Sequence, residues 1–312
     1  MNIARVGRKP KKGFRYNMKI YGYYYLLLFP AIIWFGIFCY APMGGVIIAF
    51  KNFRMVDGIF GSAWVGMRHF QILFRQPKFL EVLSNTVTIS LARLIFGFPA
   101  PIVLALLFNE VRSQRYMRLV QSLSYLPHFM SWVVLGGIFT QLLSPGSGAI
   151  NQLIQFFGGQ PIYFLADTRA FVPTLIVTGI WAGIGWGSIL YLAVISGIDP
   201  QMYEAATVEG ANRWQKCLYI TLPSLSGIIS LQLILSVSGI MNAGFDQVFN
   251  MYNPTVYSVA DILDTYTYRL GLIDFDYSRS TAVGLFKNGI GFILLLSVNA
   301  LVKRLSDGNG IW

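Results

Sequence analysis

The chain has 312 residues, of which 55% are hydrophobic and 12% charged, with a formal net charge of +11 and a mean hydropathy of +0.56. A soluble domain carries about 25% charged residues, so the composition argues against an ordinary soluble fold and for one integral membrane bundle. The positive charge does not indicate nucleic acid, because the basic residues cluster beside apolar runs and no nucleic-acid module occurs.

The first twenty residues carry Arg5, Arg8, Lys9, Lys11, Lys12, Arg15 and Lys19 and no acid. A segment of this kind beside an apolar run is expected to stay in the cytoplasm and touch anionic headgroups. A cleaved signal peptide is disfavoured, because the apolar stretch 23–50 is too long and lacks a small-x-small cleavage site. The chain therefore reads as a basic cytoplasmic N-terminus, 1–20, followed by a single transmembrane domain, 21–312.

A helix of about 20 apolar residues crosses about 30 Å of hydrocarbon. Six runs are expected to do so, at about 24–50, 83–108, 119–142, 171–197, 223–245 and 281–302. Alternation then leaves both termini in the cytoplasm. Fourteen basic residues fall in the inner segments and eight in the outer loops, although half of the fourteen belong to the first twenty residues. Pro30, Pro42, Pro99, Pro101 and Pro127, with Gly183, Gly185 and Gly187, interrupt the spans. Two readings stand for them: kinks with close small-residue packing, or a hinge beside a water-filled path. The outer segment 145–169 is expected to hold a short surface helix near 150–157, and the outer segment 249–279 carries Asp261, Asp264, Asp274 and Asp276. Cys39 and Cys217 fall in different compartments, so no disulfide is expected between them.

Catalytic chemistry has little to stand on. There is no G-x-x-x-x-G-K-[ST] phosphate loop. His69 and His128 are the only histidines and have no Cys or His partner at metal-ligand spacing. The acids are too scattered to nominate a glycosidase-like pair. The chain is expected to bind no cofactor or metal and to catalyse nothing itself.

The polar stretch 198–223 is the most informative. Asp199 is a candidate N-cap and Pro200 fits the first helical position. Glu204-Ala205-Ala206 follow, with Glu209 and then Gly210, where the chain can reverse. A second short helix from about Asn212 is expected to run through Ile220-x-Leu222 into Pro223. This spacing resembles the EAA loop of permease subunits from bacterial ATP-binding-cassette (ABC) importers. The resemblance implies an all-α integral membrane protein with six transmembrane helices, the type I, maltose-permease-like fold, and a cytoplasmic coupling helix seated on a separate ATPase.

The resemblance spans about residues 20–312 and is to the carbohydrate-importing, maltose-type branch. The segment from Met251 onward is similar to the subgroup for complex oligosaccharides, including uronic-acid-containing fragments. The implied partners are a second homologous permease forming a heterodimer, two ATP-binding subunits that use ATP and Mg, an external solute-binding protein, membrane lipid and an oligosaccharide. The implied place is the bacterial cell membrane. A permease for amino acids or phosphate, an ion-coupled carrier working without an ATPase, and a membrane scaffold or sensor are the alternatives.

Matching the sequence to the maltose-type pattern through Pro223 implies pore-facing positions at Gly183, Trp186, Ser236, Ile240 and Ala243. Asparagines of the family pattern are replaced at Ile240 and Ala243, which implies a rebuilt sugar site with Asn242 and Asp246 beside it. Trp186 is read either as a sugar-stacking face or as core packing. Asp246 either bonds sugar hydroxyls or marks the outer boundary. Arg93 and Lys287 are charges inside expected spans. Each either meets a carboxylate on an acidic oligosaccharide, or is a snorkelling or ion-paired side chain.

Overall fold

The computed structural model describes residues 14–305, with side chains for residues 20–303. Arg5, Arg8, Lys9, Lys11 and Lys12 of the basic segment lie outside the described residues, as do the side chains of Arg15, Lys19 and Arg304.

Four helical segments are long and apolar enough to cross a membrane: Ile20–Phe50, Pro77–Glu110, Thr168–Ile195 and Tyr277–Lys303. Two more are bent pairs, Gln114–Phe129 with Trp132–Leu142 at 106° and Arg213–Ser224 with Ser226–Ser238 at 60°. Counted as one span each, they complete the expected six.

The third span breaks beside Pro127, one of the residues expected to interrupt the spans, and the fifth stops short of its expected end. In the third, Pro127 has no N–H to donate, and Met130 and Ser131 turn extended. The helix restarts only where Ser131 Oγ accepts from Val134 N at 3.4 Å. Its outer piece, Trp132–Leu142, is 11 residues, about 16 Å long, too short to cross a bilayer alone. In the fifth, the helix begins at Arg213, bends at Leu225 and ends at Ser238, seven residues before the expected position 245. A turn through Gly244, at φ +83°, leads to a separate helix, Phe245–Met251.

Loop contacts sort the two ends of the bundle. Glu110 and Arg213 lie 3.8 Å apart, joining the loop after the second span to the one before the fifth. At the opposite end, the short ribbon of Lys51–Asn52 and Ala63–Trp64 is pinned to the sixth span. There Ser278 Oγ donates to Lys51 O at 2.7 Å and accepts from Phe53 N at 2.9 Å. Asn253 Nδ2 also donates to Leu165 O at 2.7 Å, tying two outer segments together. This is the grouping that six alternating spans require. The surface segment expected near 150–157 is a helix, Ala149–Phe156.

The first span stands apart. None of its most apolar window is buried within the chain, and only its end, at Ala49 and Phe50, joins the core with Phe70, Phe79, Leu263 and Val283. The second and fourth spans cross closely, with Ile102, Ala105, Tyr191 and Ile195 packed around Leu225. A Cβ placed at Gly185 would lie 2.2 Å from the Ser124 carbonyl oxygen, whereas one at Gly183 would meet nothing within 4 Å. The glycines of the fourth span thus divide between tight helix contact and open space.

A buried carboxylate joins the outer segments. Asp261 is fully buried; it pairs with Arg269 and with Lys78 at 3.5 Å, and accepts from Thr265 Oγ1 at 2.7 Å. Arg269 also lies over the Tyr257 ring, 5.2 Å from its centroid. Burial lowers the Arg269 pKa and Asp261 raises it; the second effect prevails and keeps the guanidinium charged.

Two outcomes are expected. Asp261→Ala strands Arg269 and should destabilise the protein by about 3–5 kcal/mol, read as a lower thermal midpoint in detergent. Asp261→Asn, which still accepts from Thr265, should lose less. Gly185→Ala should lower that midpoint by forcing the fourth span off Ser124, while Gly183→Ala should leave it unchanged within about 0.5 kcal/mol.

Candidate functional site

One face of the fourth span presents Gly179, Gly183, Gly187 and Tyr191, every fourth residue, as helical periodicity allows. Three cavities lie along that face. The first, about 550 Å³, is walled by His128, Ser131, Trp132, Gly183, Asp246 and Asn250. The second, about 270 Å³, shares Trp132, Gly179 and Gly183 with it and adds Arg93, Pro101 and Gln247. The third, about 440 Å³, shares Arg93, Gly97 and Pro101 with the second and is closed by Tyr191, Gln232, Ser236, Ile240 and Asn242. The three form a series linked by shared wall residues: the first lies between the third and fourth spans, the second also touches the second span, and the third lies between the second, fourth and fifth.

The structure brings together Gly183, Ser236, Ile240, Asn242, Asp246 and Arg93 on the walls of this series. It separates the rest. Ala243 is fully buried in the core with Ile89, Leu135 and Ala182 and faces none of the three cavities. Trp186 is half exposed, but one ring face lies flat on His128, with centroids 4.5 Å apart and planes 4° apart. Phe129 meets it edge-on at 5.6 Å. A sugar could stack only on what those two rings leave open. Lys287 forms an ion pair with Asp264 and walls a fourth cavity of about 300 Å³ with Asn288 and Asn242, the last shared with the third cavity. Its charge is answered within the chain.

Arg93 is different. Its Nη2 donates to Gln247 Oε1 at 2.5 Å. Gln247, itself 1% exposed, is fixed in orientation because Nε2 donates to Leu175 O at 2.8 Å and to Thr178 Oγ1 at 2.9 Å. Sequence reasoning did not single out Gln247, since nothing in FDQVFNM marks which polar residue turns inward. Asp264 was read only as one of the outer acids.

At the other end, 198–223 folds as a braced hairpin of short helices. Asp199 Oδ1 accepts from Gln201 N at 2.9 Å and Pro200 opens the helix Pro200–Val208. Gly210 reverses the chain at φ +83°, a conformation that disfavours a Cβ. Asn212 and Gln215 cap the next helix reciprocally, at 2.8 and 2.9 Å. Lys216 Nζ donates to Thr207 Oγ1 at 2.7 Å, and Tyr203 Oη lies 2.9 Å from Thr221 Oγ1. These bonds bind the two helices to each other and to the base of the fifth span.

Glu204, Ala205, Glu209 and Gly210 face outward, and Ala206 is half-buried. Ile220 is buried and Leu222 half-buried against the chain, and Pro223 is exposed. Exposed Val208 and Trp214 add apolar surface to the hairpin, which the motif alone did not reveal.

Comparison with known proteins follows the same lines. A family model described as "Binding-protein-dependent transport system inner membrane component" matches residues 97–307. The polygalacturonan/rhamnogalacturonan transport system permease protein YteP of Bacillus subtilis (strain 168) is 44% identical over 285 residues, covering 91% of this chain and 89% of that protein. Protein LplB of the same organism is 43% identical over 288 residues, covering 92% and 90%. A chain in the crystal structure of a bacterial ABC transporter involved in the import of the acidic polysaccharide alginate superposes with a TM-score of 0.87 at 39% identity, over 94% of this chain and 99% of that chain. A chain of the bacterial alginate transporter in complex with alginate pentasaccharide-bound periplasmic protein gives 0.88 at 38% identity, over 96% and 100%. With its six spans, its braced hairpin and this match over most of its length, the chain belongs to the binding-protein-dependent transport system inner membrane components, as the permease subunit of an ABC importer.

Proposed function

We propose that this chain carries acidic oligosaccharides, derived from uronic-acid polysaccharides, through the cavity series along its fourth span. The observation that carries this reading is the family match, joined to relatives named for polygalacturonan/rhamnogalacturonan and for alginate transport. An external solute-binding protein delivers the sugar at the end formed by the ribbon and the outer segments. A second, homologous permease completes the passage as a heterodimer, and the apolar first span is available to it or to lipid. Residues 1–20 form a basic cytoplasmic anchor, 21–312 one transmembrane domain, and both termini lie in the cytoplasm of a bacterial cell.

Energy enters through the hairpin. Two ATP-binding subunits hold the ATP and Mg, and this chain binds neither. Glu204, Ala205, Glu209 and Gly210 seat on one of them, with Val208 and Trp214 supplying apolar contact. Ala206, Ile220, Leu222 and Pro223 join the hairpin to the fifth span. Because Lys216–Thr207 and Tyr203–Thr221 brace it, movement of the ATPase shifts the hairpin as one piece and reaches the cavities through the bend at Leu225. An amino-acid or phosphate permease is disfavoured by the matches named for polygalacturonan/rhamnogalacturonan and alginate transport. An ion-coupled carrier predicts uptake in vesicles that lack an ATPase.

The test is reconstitution of the full complex in proteoliposomes with the sugar-loaded binding protein. Uptake that requires ATP is expected; uptake without the ATPase would overturn the reading. In the same complex, Val208→Asp or Glu204→Lys should weaken co-purification of the ATPase by about 10-fold or more, as interface anchors cost about 2 kcal/mol when lost. Gly210→Ala, strained by about 1–2 kcal/mol in the left-handed region, should reduce ATPase stimulation while the thermal midpoint of the permease falls only slightly.

A further inference from the structure

We propose that Arg93 is the carboxylate-binding residue of the passage, holding successive uronate groups of the oligosaccharide as it moves through the membrane. The proposal rests on the oligosaccharide reading above and names the side chain that recognises the acidic class.

Arg93 lies midway along the second span, Pro77–Glu110, at the start of a π-helical turn, Arg93–Gly97. Such turns insert an extra residue and recur at functional sites. A charge at this depth is costly and normally meets an acid or a water-filled space. Three other partly buried cations meet acids: Lys287 pairs with Asp264, Arg269 with Asp261, and Arg279 with Asp276 at 2.5 Å. Among the described residues, Arg93 has no carboxylate within ion-pair distance, and its buried Nε has no hydrogen-bond partner.

The surroundings nevertheless hold the guanidinium in place. Gln247, locked by Leu175 and Thr178, offers its oxygen to Nη2. At Gly244 a Cβ would fall 2.3 Å from Nη1 and 2.7 Å from Nη2, so the guanidinium fills the space a side chain would need. A neutral amide orients the group but leaves its charge uncompensated. Both cavities beside it, about 270 and 440 Å³, have Arg93 in their walls and no Asp or Glu. An anion entering either one meets an oriented cation that no acid among the described residues has neutralised. A guanidinium presents a planar fork of donors suited to a carboxylate, and a uronate supplies one on each sugar ring. The charge-assisted bond forms without displacing an existing partner.

The experiment uses the full complex in proteoliposomes, with the binding protein saturated by either a galacturonate trisaccharide or its carboxyl-reduced, neutral counterpart. Arg93→Gln should reduce uptake of the acidic sugar about 10-fold or more relative to the neutral one, the scale of one hydrogen bond to a charged group. Arg93→Lys, which keeps the charge without the fork, should keep the acidic preference with a raised half-saturation concentration. The binding protein's own preference is common to wild type and variant and cancels in their ratio. Equal loss for both sugars, or no loss for either, overturns the assignment and leaves Arg93 a packing residue. If Arg93→Gln does not assemble, Arg93→Lys decides: a half-saturation concentration raised for the acidic sugar alone supports the proposal, and one raised equally for both sugars, or for neither, overturns it. Uptake of neither sugar by the wild-type complex is a separate result, which overturns the oligosaccharide reading and this assignment with it.

Discussion

An ion moved out of water into a protein interior costs several kcal/mol unless an opposite charge and further hydrogen bonds meet it. In this chain Asp261 meets Arg269 and Lys78, Asp264 meets Lys287, and Asp276 meets Arg279. Two of these pairs join separate elements, and the other two are local. Lys287 of the sixth span reaches the Leu263–Tyr268 helix, and Lys78 at the head of the second span reaches the far outer segment. This end of the bundle is therefore held together by ion pairs, while Arg93, within the second span, has no acid within ion-pair distance among the described residues.

Breaks in the helices follow a related constraint. A backbone group freed inside a membrane must find a partner in protein or in a wet cavity. The second span carries a π-helical turn beside the cavities and the third is bent 106° at their edge. The fifth is interrupted at Leu225 and again between Gly239 and Gly244. The fourth span runs 28 residues unbroken despite Pro173, so the irregular spans wall the cavities around one regular helix. Gly183 and Gly185, two residues apart, show how that helix serves both needs, one opening a cavity wall and the other pressed on Ser124.

The hairpin at 198–223 combines internal bracing with outward exposure. Its caps and cross-bonds make it stiff, while its acidic and apolar tips remain exposed. Stiffness inside and exposure outside are what a transmitter of force needs. A limp connector of the same composition would absorb the motion of a partner.

Much of this was legible in the sequence because its causes are local. Apolar run length sets the number of spans. Asp199-Pro200 starts a helix through contacts within two residues, Gly210 reverses the chain by lacking a Cβ, and the Glu204-Ala205-Ala206 spacing identifies the hairpin. What the sequence could not state depends on residues far apart. Arg93 and Gln247 are 154 positions apart, and packing of the second span and of the Phe245–Met251 helix on the fourth span brings them together. Whether Lys287 carried a free charge was undecided until Asp264, 23 positions away, came within reach. Ala243 and Ile240 read alike as positions of the rebuilt site, yet one is sealed in the core and the other walls a cavity. Periodicity gives a helix its faces; only the tertiary structure assigns each face to lipid, to a neighbouring helix or to the passage, because that choice is made by which helix lies opposite.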